Sequence, residues 1–154
     1  MTQPSTILYA EDEENDVLFL DLALKRTGLP HLLKSVPDGQ QAIEYLAGNV
    51  PFADRQLCPL PSIVLLDINM PKKSGFQVLE WIRQQSRFKS LPVLMLTSAV
   101  RPEDRRKASQ LGADDYFIKP AAPRMLDALV QSLHHRWLSP QPPPPSPSII
   151  QSLP

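Results

Sequence analysis

With one cysteine in 154 residues the chain cannot form an internal disulfide, which excludes a disulfide-stapled scaffold and suits a reducing compartment. Charge of one sign is missing too: 16 Lys and Arg balance 16 Asp and Glu. Bulk charge gives nothing for a nucleic-acid backbone to bind, and no basic stripe stands in for it. No apolar run approaches the roughly 18 residues that a membrane span needs. The opening MTQPSTILYAEDEEN has neither the basic region nor the long apolar stretch of a secretory signal. The expectation is a soluble cytoplasmic protein with no nucleic-acid and no membrane partner. Its length suits one domain that buries roughly two-thirds of its unfolded surface.

Proline is present in excess, at 18, but locally: seven lie in the last fifteen residues, and three more are Pro51, Pro59 and Pro61. Through that run the tail, Ser139 to Pro154, can form neither helix nor sheet, and it reads as polyproline II or an unstructured extension. Sixteen residues cannot build an output domain. The expected organisation is one domain over 1–138, with an extended loop at 48–61, and a Pro-rich tail over 139–154.

Elsewhere short apolar runs alternate with segments of helical period. The runs are Thr6 to Ala10, Leu32 to Val36, Ser62 to Leu66, Pro92 to Leu96 and Asp115 to Ile118. Val17, Leu20 and Leu24 give the first intervening segment an apolar face. Gln40 to Ala47 reads as a second helix, stopped by Gly48-Asn49, and Phe76, Val78, Leu79 and Ile82 mark a third. Pro102 to Leu111 is a fourth, with proline at its start and Gly112 at its end. Met125, Leu126, Leu129, Val130 and Leu133 form the stripe of a fifth. Five strands alternating with five helices imply an α/β fold, a doubly wound parallel sheet covered on both faces. Such a sheet gathers its functional groups at the carboxyl ends of its strands.

Those ends are chemically loaded. The first strand ends in Glu11-Asp12, the third in Asp67, the fourth in Thr97-Ser98 and the fifth in Lys119-Pro120. Carboxylates converging on one rim repel, and each resists ionisation. A divalent cation such as Mg2+ relieves that conflict and leaves one carboxylate able to attack a phosphoryl group. Asp67, after the most completely apolar run, is the best-held candidate. Thr97 can donate a hydroxyl to a phosphoryl oxygen and Lys119 can pair with another.

On these residues the chain resembles a response-regulator receiver domain of the two-component family, over roughly residues 5 to 138. The acidic pair Glu11-Asp12, then Asp67, Thr97 and Lys119-Pro120, match the family's motifs in order. The intervals of 30 and 22 residues from Asp67 to Thr97 to Lys119 are usual for it. The resemblance implies a flavodoxin-like five-stranded sheet in order 2-1-3-4-5. It also implies Asp67 as phosphoacceptor, with Mg2+ or Mn2+ held by Glu11, Asp12, Asp67 and the backbone carbonyl of Asn69. Thr97 and Tyr116 would form the switch pair, and a cis peptide before Pro120 would aim Lys119 over the strand ends. A sensor histidine kinase is the implied partner, and a homodimer through the fourth helix, fifth strand and fifth helix is compatible with the family. The extended loop at 48–61 and Trp137-Leu138 closing the last helix are similar to the small regulators paired with cyanobacterial phytochrome kinases. Two features depart from the family's pattern. Glu11 replaces the commoner Asp, and Ser74 stands where the family often has Asp, with an expected effect on the turn more than on the chemistry.

Plainer readings apply to other residues. Glu13, Glu14 and Asp16 read as a charged helix start, and Arg105-Arg106-Lys107 as a solvated helix face. Ser98 is the expected N-cap of the fourth helix, which leaves Thr97 for the site. His31, His134 and His135 have no metal-ligand spacing and receive no role. The expected function is a stand-alone response regulator that is a signalling phosphoacceptor and not a turnover enzyme. A non-phosphorylated receiver-like interaction module and an aspartyl-phosphate hydrolase are the alternatives. A flavin or nucleotide module on the same topology conflicts with Glu11-Asp12-Glu13-Glu14, which would repel phosphate in the first strand-to-helix loop.

Overall fold

The structure, a computed structural model, describes residues 4–139, so the expected Pro-rich tail lies, from residue 140 onward, outside the described residues. The strands are β1 (Thr6–Ala10), β2 (Leu32–Val36), β3 (Ile63–Leu66), β4 (Val93–Thr97) and β5 (Asp115–Ile118). All pair in parallel, in the order β2-β1-β3-β4-β5. The helices are α1 (Glu14–Arg26), α2 (Gly39–Ala47), α3 (Gly75–Gln84), α4 (Pro102–Leu111) and α5 (Leu126–Leu133). This is the flavodoxin-like doubly wound fold.

Successive residues of a strand point to opposite faces, and β1, β3 and β4 show why both kinds are apolar. Leu8, Ala10, Val64, Leu66, Val93 and Met95 pack with α2, α3 and α4 on one face. Ile7, Tyr9, Ile63, Leu65, Leu94 and Leu96 pack with α1 and α5 on the other. β2 and β5 lie at the two edges and are only partly buried. Met125 departs from the expected α5 stripe: it is 61% exposed. A 3-10 turn, Pro123–Met125, precedes α5, and its tighter winding carries Met125 off the helix's apolar face.

The turns explain the rest of the scaffold. Ser74 caps α3 in a reciprocal box, its Oγ accepting from Gln77 N–H at 3.3 Å while Gln77 Oε1 accepts from Ser74 N–H at 2.8 Å. It therefore shapes the turn, as expected. Gly48, at φ 78°, ends α2 in the left-handed conformation. The extended loop that follows is folded back by Arg55. Its guanidinium donates to the carbonyls of Tyr45 at 2.8 Å, Leu46 at 3.0 Å and Cys58 at 3.2 Å. At the amino end of the sheet, His31 Nδ1 accepts from Ser5 N–H at 3.1 Å. The His31 proton is therefore on Nε2, which reaches His134 Nδ1 at 2.9 Å and ties the end of α5 to the start of the sheet.

Gly75, the first residue of α3, lies against the strand it serves. A Cβ built there would sit 2.2 Å from the backbone oxygen of Asp67 and 3.0 Å from Met95 Cε. Gly75→Ala is expected to lower stability by about 1–3 kcal/mol, the usual range for overpacking. It would read as a reduced urea midpoint with an unchanged m-value.

Candidate functional site

Three rim residues are fixed by backbone bonds that extend the sheet one step beyond their strands. Glu11 N–H donates to Val36 O at 3.0 Å, Asp67 N–H to Ala10 O at 3.0 Å, and Lys119 N–H to Thr97 O at 2.7 Å. Their side chains thus start from a common edge. Glu11, Asp12 and Asp67 each place a carboxylate oxygen there, all within 4.8 Å of one another. Glu11 and Asp67 are buried and Asp12 is exposed. Asn69, two residues beyond Asp67, is exposed.

Lys119 is the counter-charge. Its Nζ bonds Glu11 Oε1, reaches Asp16 Oδ2 at 2.8 Å and lies 3.6 Å from Asp67 Oδ2. The expected cis peptide before Pro120 is not found. That bond is trans, and Val50–Pro51 is the cis peptide among the described residues. The register of β4 and β5, continued by the Lys119 N–H bond, already aims the lysine over the rim.

Asp16 is likewise more than a solvated helix start. It lies in the first turn of α1, where side chains lean back toward the helix N-terminus, and here that direction is toward the strand ends. The signal in the sequence was its place one turn into a helix that begins just beyond the rim. Glu13 and Glu14 stay exposed, as expected.

Burial pushes the Glu11 carboxyl up to about 7; the bond from Lys119 opposes this and the charge of Asp67 adds to it. Glu11 also accepts from Tyr9 O–H at 3.1 Å and from Glu13 N–H at 3.2 Å. Burial and the neighbouring Glu11 push the Tyr9 phenol upward, so it remains a donor. Burial alone would lower the Lys119 ammonium, but its bonds to Asp16 and Glu11 and the charge of Asp67 raise it instead. The lysine stays charged.

Thr97 is 1% exposed, and its Oγ1 accepts from Ala99 N–H at 3.2 Å. Neither Thr97 nor Ser98 caps α4, because that helix begins later, at Pro102, with Arg101 in the capping position. Tyr116 is buried, its hydroxyl 3.5 Å from Ala99 O and its ring beneath the Arg105 guanidinium at 4.9 Å. Arg105 and Lys107 are exposed, as expected of a solvated face, yet each also covers an aromatic ring, Lys107 that of Phe76.

A strand-end pocket of two acids, a phosphoacceptor-like Asp, a hydroxyl and a lysine on this topology defines a receiver. The chain belongs to the response regulator receiver domain family, whose model matches residues 7–131. It is 31% identical over 135 residues to response regulator Rcp1 of Synechocystis sp., covering 88% of this chain and 90% of Rcp1. The Mn2+-bound form of Rcp1 superposes with a TM-score of 0.78 at 30% identity, over 92% of this chain and 99% of that one. The phosphorylated cyanobacterial phytochrome response regulator RcpA gives a TM-score of 0.82 at 30% identity, with the same 92% and 99% coverage. Response regulator RPA3017, in red light signalling of R. palustris, gives 0.83 at 34% identity over 94% of this chain and 100% of that chain. The protein is a receiver-domain response regulator similar to the phytochrome-associated ones. Among the described residues no helix is long and apolar enough to cross a membrane.

The Glu11 carboxyl, near 4.5 in an unfolded chain and about 7 here, fixes the sign of a pH effect. The unfolded state releases this proton first, so stability falls as pH rises from about 4.5 through about 7 and then levels. In chelator-treated protein, urea midpoints at pH 5 and pH 7.5 are expected to differ less for Glu11→Gln than for wild type.

Proposed function

We propose that Asp67 accepts a phosphoryl group from a phosphohistidine of a sensor histidine kinase, with Glu11, Asp12, Asp67 and the Asn69 carbonyl holding Mg2+ or Mn2+. The observation that carries this reading is the convergence of Glu11, Asp12 and Asp67 within 4.8 Å. The donors fit such an ion: they are hard carboxylate oxygens, and burial with mutual repulsion leaves Glu11 short of compensating positive charge. When bound, the ion would screen the negative charge of the incoming group and of the acid that attacks it.

The remaining work falls to the chain's own residues. A carboxylate oxygen of Asp67 forms a bond to phosphorus as the P–N bond to the donor imidazole breaks. The imidazole leaves with that electron pair and takes up a proton. Lys119, already 3.6 Å from Asp67 Oδ2, is placed to pair with a phosphoryl oxygen. Thr97 Oγ1 can donate to another once it turns from Ala99.

That turn would have a consequence through one residue, Ala99. Ala99 donates its N–H to Thr97 Oγ1, and its carbonyl faces the Tyr116 hydroxyl. Loss of the Thr97 bond would release the backbone at Ala99, whose carbonyl is the hydroxyl's partner, although the ring itself is already packed inward. The surface formed by α4, β5 and α5 then changes its population of states.

The same reading makes residues 1–138 the receiver unit with 139–154 as its tail. It makes the protein a cytoplasmic phosphoacceptor rather than a turnover enzyme, paired with a phytochrome-like kinase and able to dimerise through α4, β5 and α5. A hydrolase would need an acid or base to activate water; two residues past Thr97 stands Ala99, which has neither. Loss of the phosphoryl group is therefore expected to be slow.

Labelling with acetyl phosphate and Mg2+ tests the assignment. Wild type is expected to take up label, Asp67→Asn to fall to background, and chelator to abolish uptake. Lys119→Ala is expected to slow labelling by about 10²–10³-fold, the range for removing one preorganised charge-stabilising group. Equal labelling of wild type and Asp67→Asn would take the phosphoacceptor role from Asp67.

A further inference from the structure

Asp16 has no part in the transfer described above, yet it is bonded to the lysine on which the transfer depends. Lys119 Nζ meets carboxylates of Glu11, Asp16 and Asp67. These three differ in what else competes for them. Glu11 and Asp67 belong to the carboxylate pocket, whereas the third member of that pocket is Asp12 and not Asp16. Glu11 Oε1 is claimed twice already, by Lys119 and by the Tyr9 hydroxyl.

A divalent cation drawing on Glu11 and the ammonium bound to it repel each other, and at short range in a buried site that repulsion is large. The ammonium must then shift. Of its three partners, Asp16 alone lies outside the pocket. It is also the most open, with a side chain 33% exposed against 10% for Asp67 and 0% for Glu11. A shift toward it takes the ammonium into a better-solvated place. There is room for this: Asp16 and Lys119 together line a cavity of about 110 Å3 with Phe19, Leu96 and Leu126.

We propose that Asp16 is a positioning residue: it holds Lys119 at the rim and keeps its ammonium there when a divalent cation takes Glu11, so that the two positive charges coexist. The proposal rests on Glu11, Asp12 and Asp67 forming the cation pocket. Without Asp16 the ammonium stays on Glu11 and opposes the entry of the cation. The effect runs through Lys119 and not through direct attraction between Asp16 and the ion.

Mn2+ binding to the unphosphorylated full chain, followed by the electron paramagnetic resonance of free Mn2+, tests this. The proteins are wild type, Asp16→Asn, Asp16→Glu, Lys119→Met and the double variant Asp16→Asn/Lys119→Met, each checked for an intact melting transition. Asp16→Asn is expected to weaken Mn2+ binding about fivefold, the scale of one half-exposed ion pair, and Asp16→Glu to restore most of the loss. Should Asp16→Asn not fold, Asp16→Ser takes its place with the same expectation. On the Lys119→Met background, Asp16→Asn is expected to change affinity by less than about twofold, because the pair is coupled. Equal losses on both backgrounds would overturn the proposal, since Asp16 would then act on the ion by charge alone. Unchanged affinity in Asp16→Asn with Lys119 present would overturn it as well. Failure of wild type to bind Mn2+ is a different result: it removes the cation pocket, and the role of Asp16 with it.

Discussion

Parallel strands deliver their last residues to a common edge, and at that edge this chain gathers more negative charge than its one lysine can neutralise. Glu11 and Asp67 are held there by ladder bonds from their own backbones, so neither can withdraw without breaking the sheet. Asp12 and Asp16 follow from the same strand-to-helix connection. The surplus charge is thus imposed by topology. The retained charge of Lys119 and the affinity for a divalent ion are expressions of it, and it adds to the effect of burial in displacing the Glu11 carboxyl upward.

The opposite character prevails a few ångströms below. Between the edge and the far end, β1, β3 and β4 carry apolar side chains on both faces, closed by α1 and α5 on one side and α2, α3 and α4 on the other. That packing makes the edge rigid enough for its groups to be preorganised. In the connection after β4 a single residue, Ala99, meets Thr97 through its N–H and Tyr116 through its carbonyl.

Much of this was legible in the sequence because period and charge pointed the same way. The run Thr6 to Ala10 is a buried strand because nothing polar interrupts it and acids end it at once; the structure draws β1 with those bounds. Asp115 to Ile118 stood out as a short apolar run after Gly112, and Pro102 to Leu111 was marked by its proline and Gly112. What escaped depended on direction in space. Asp16 looked like any acid of a helix start, and only the lean of first-turn side chains toward the strand ends sets it apart. His31 and His134 are separated by more than a hundred residues and meet only because α5 returns to the amino end of the sheet. Met125 fitted the apolar period, but a 3-10 turn carried it off the stripe. The trans bond before Pro120 was hidden for another reason: the resemblance implied the other isomer, and backbone register alone already aims the lysine.

The loop between α2 and β3 leaves the molecule at the end of the sheet away from the acids. Arg55 fastens it to the last carbonyls of α2, so it behaves as an attached plate and not as a free strand of chain. Val50, Leu57 and Leu60 stand outward on that plate. Substitutions on that plate lie at the pole opposite the acids, so they can change the surface presented there without touching Glu11, Asp12, Asp67 or Lys119.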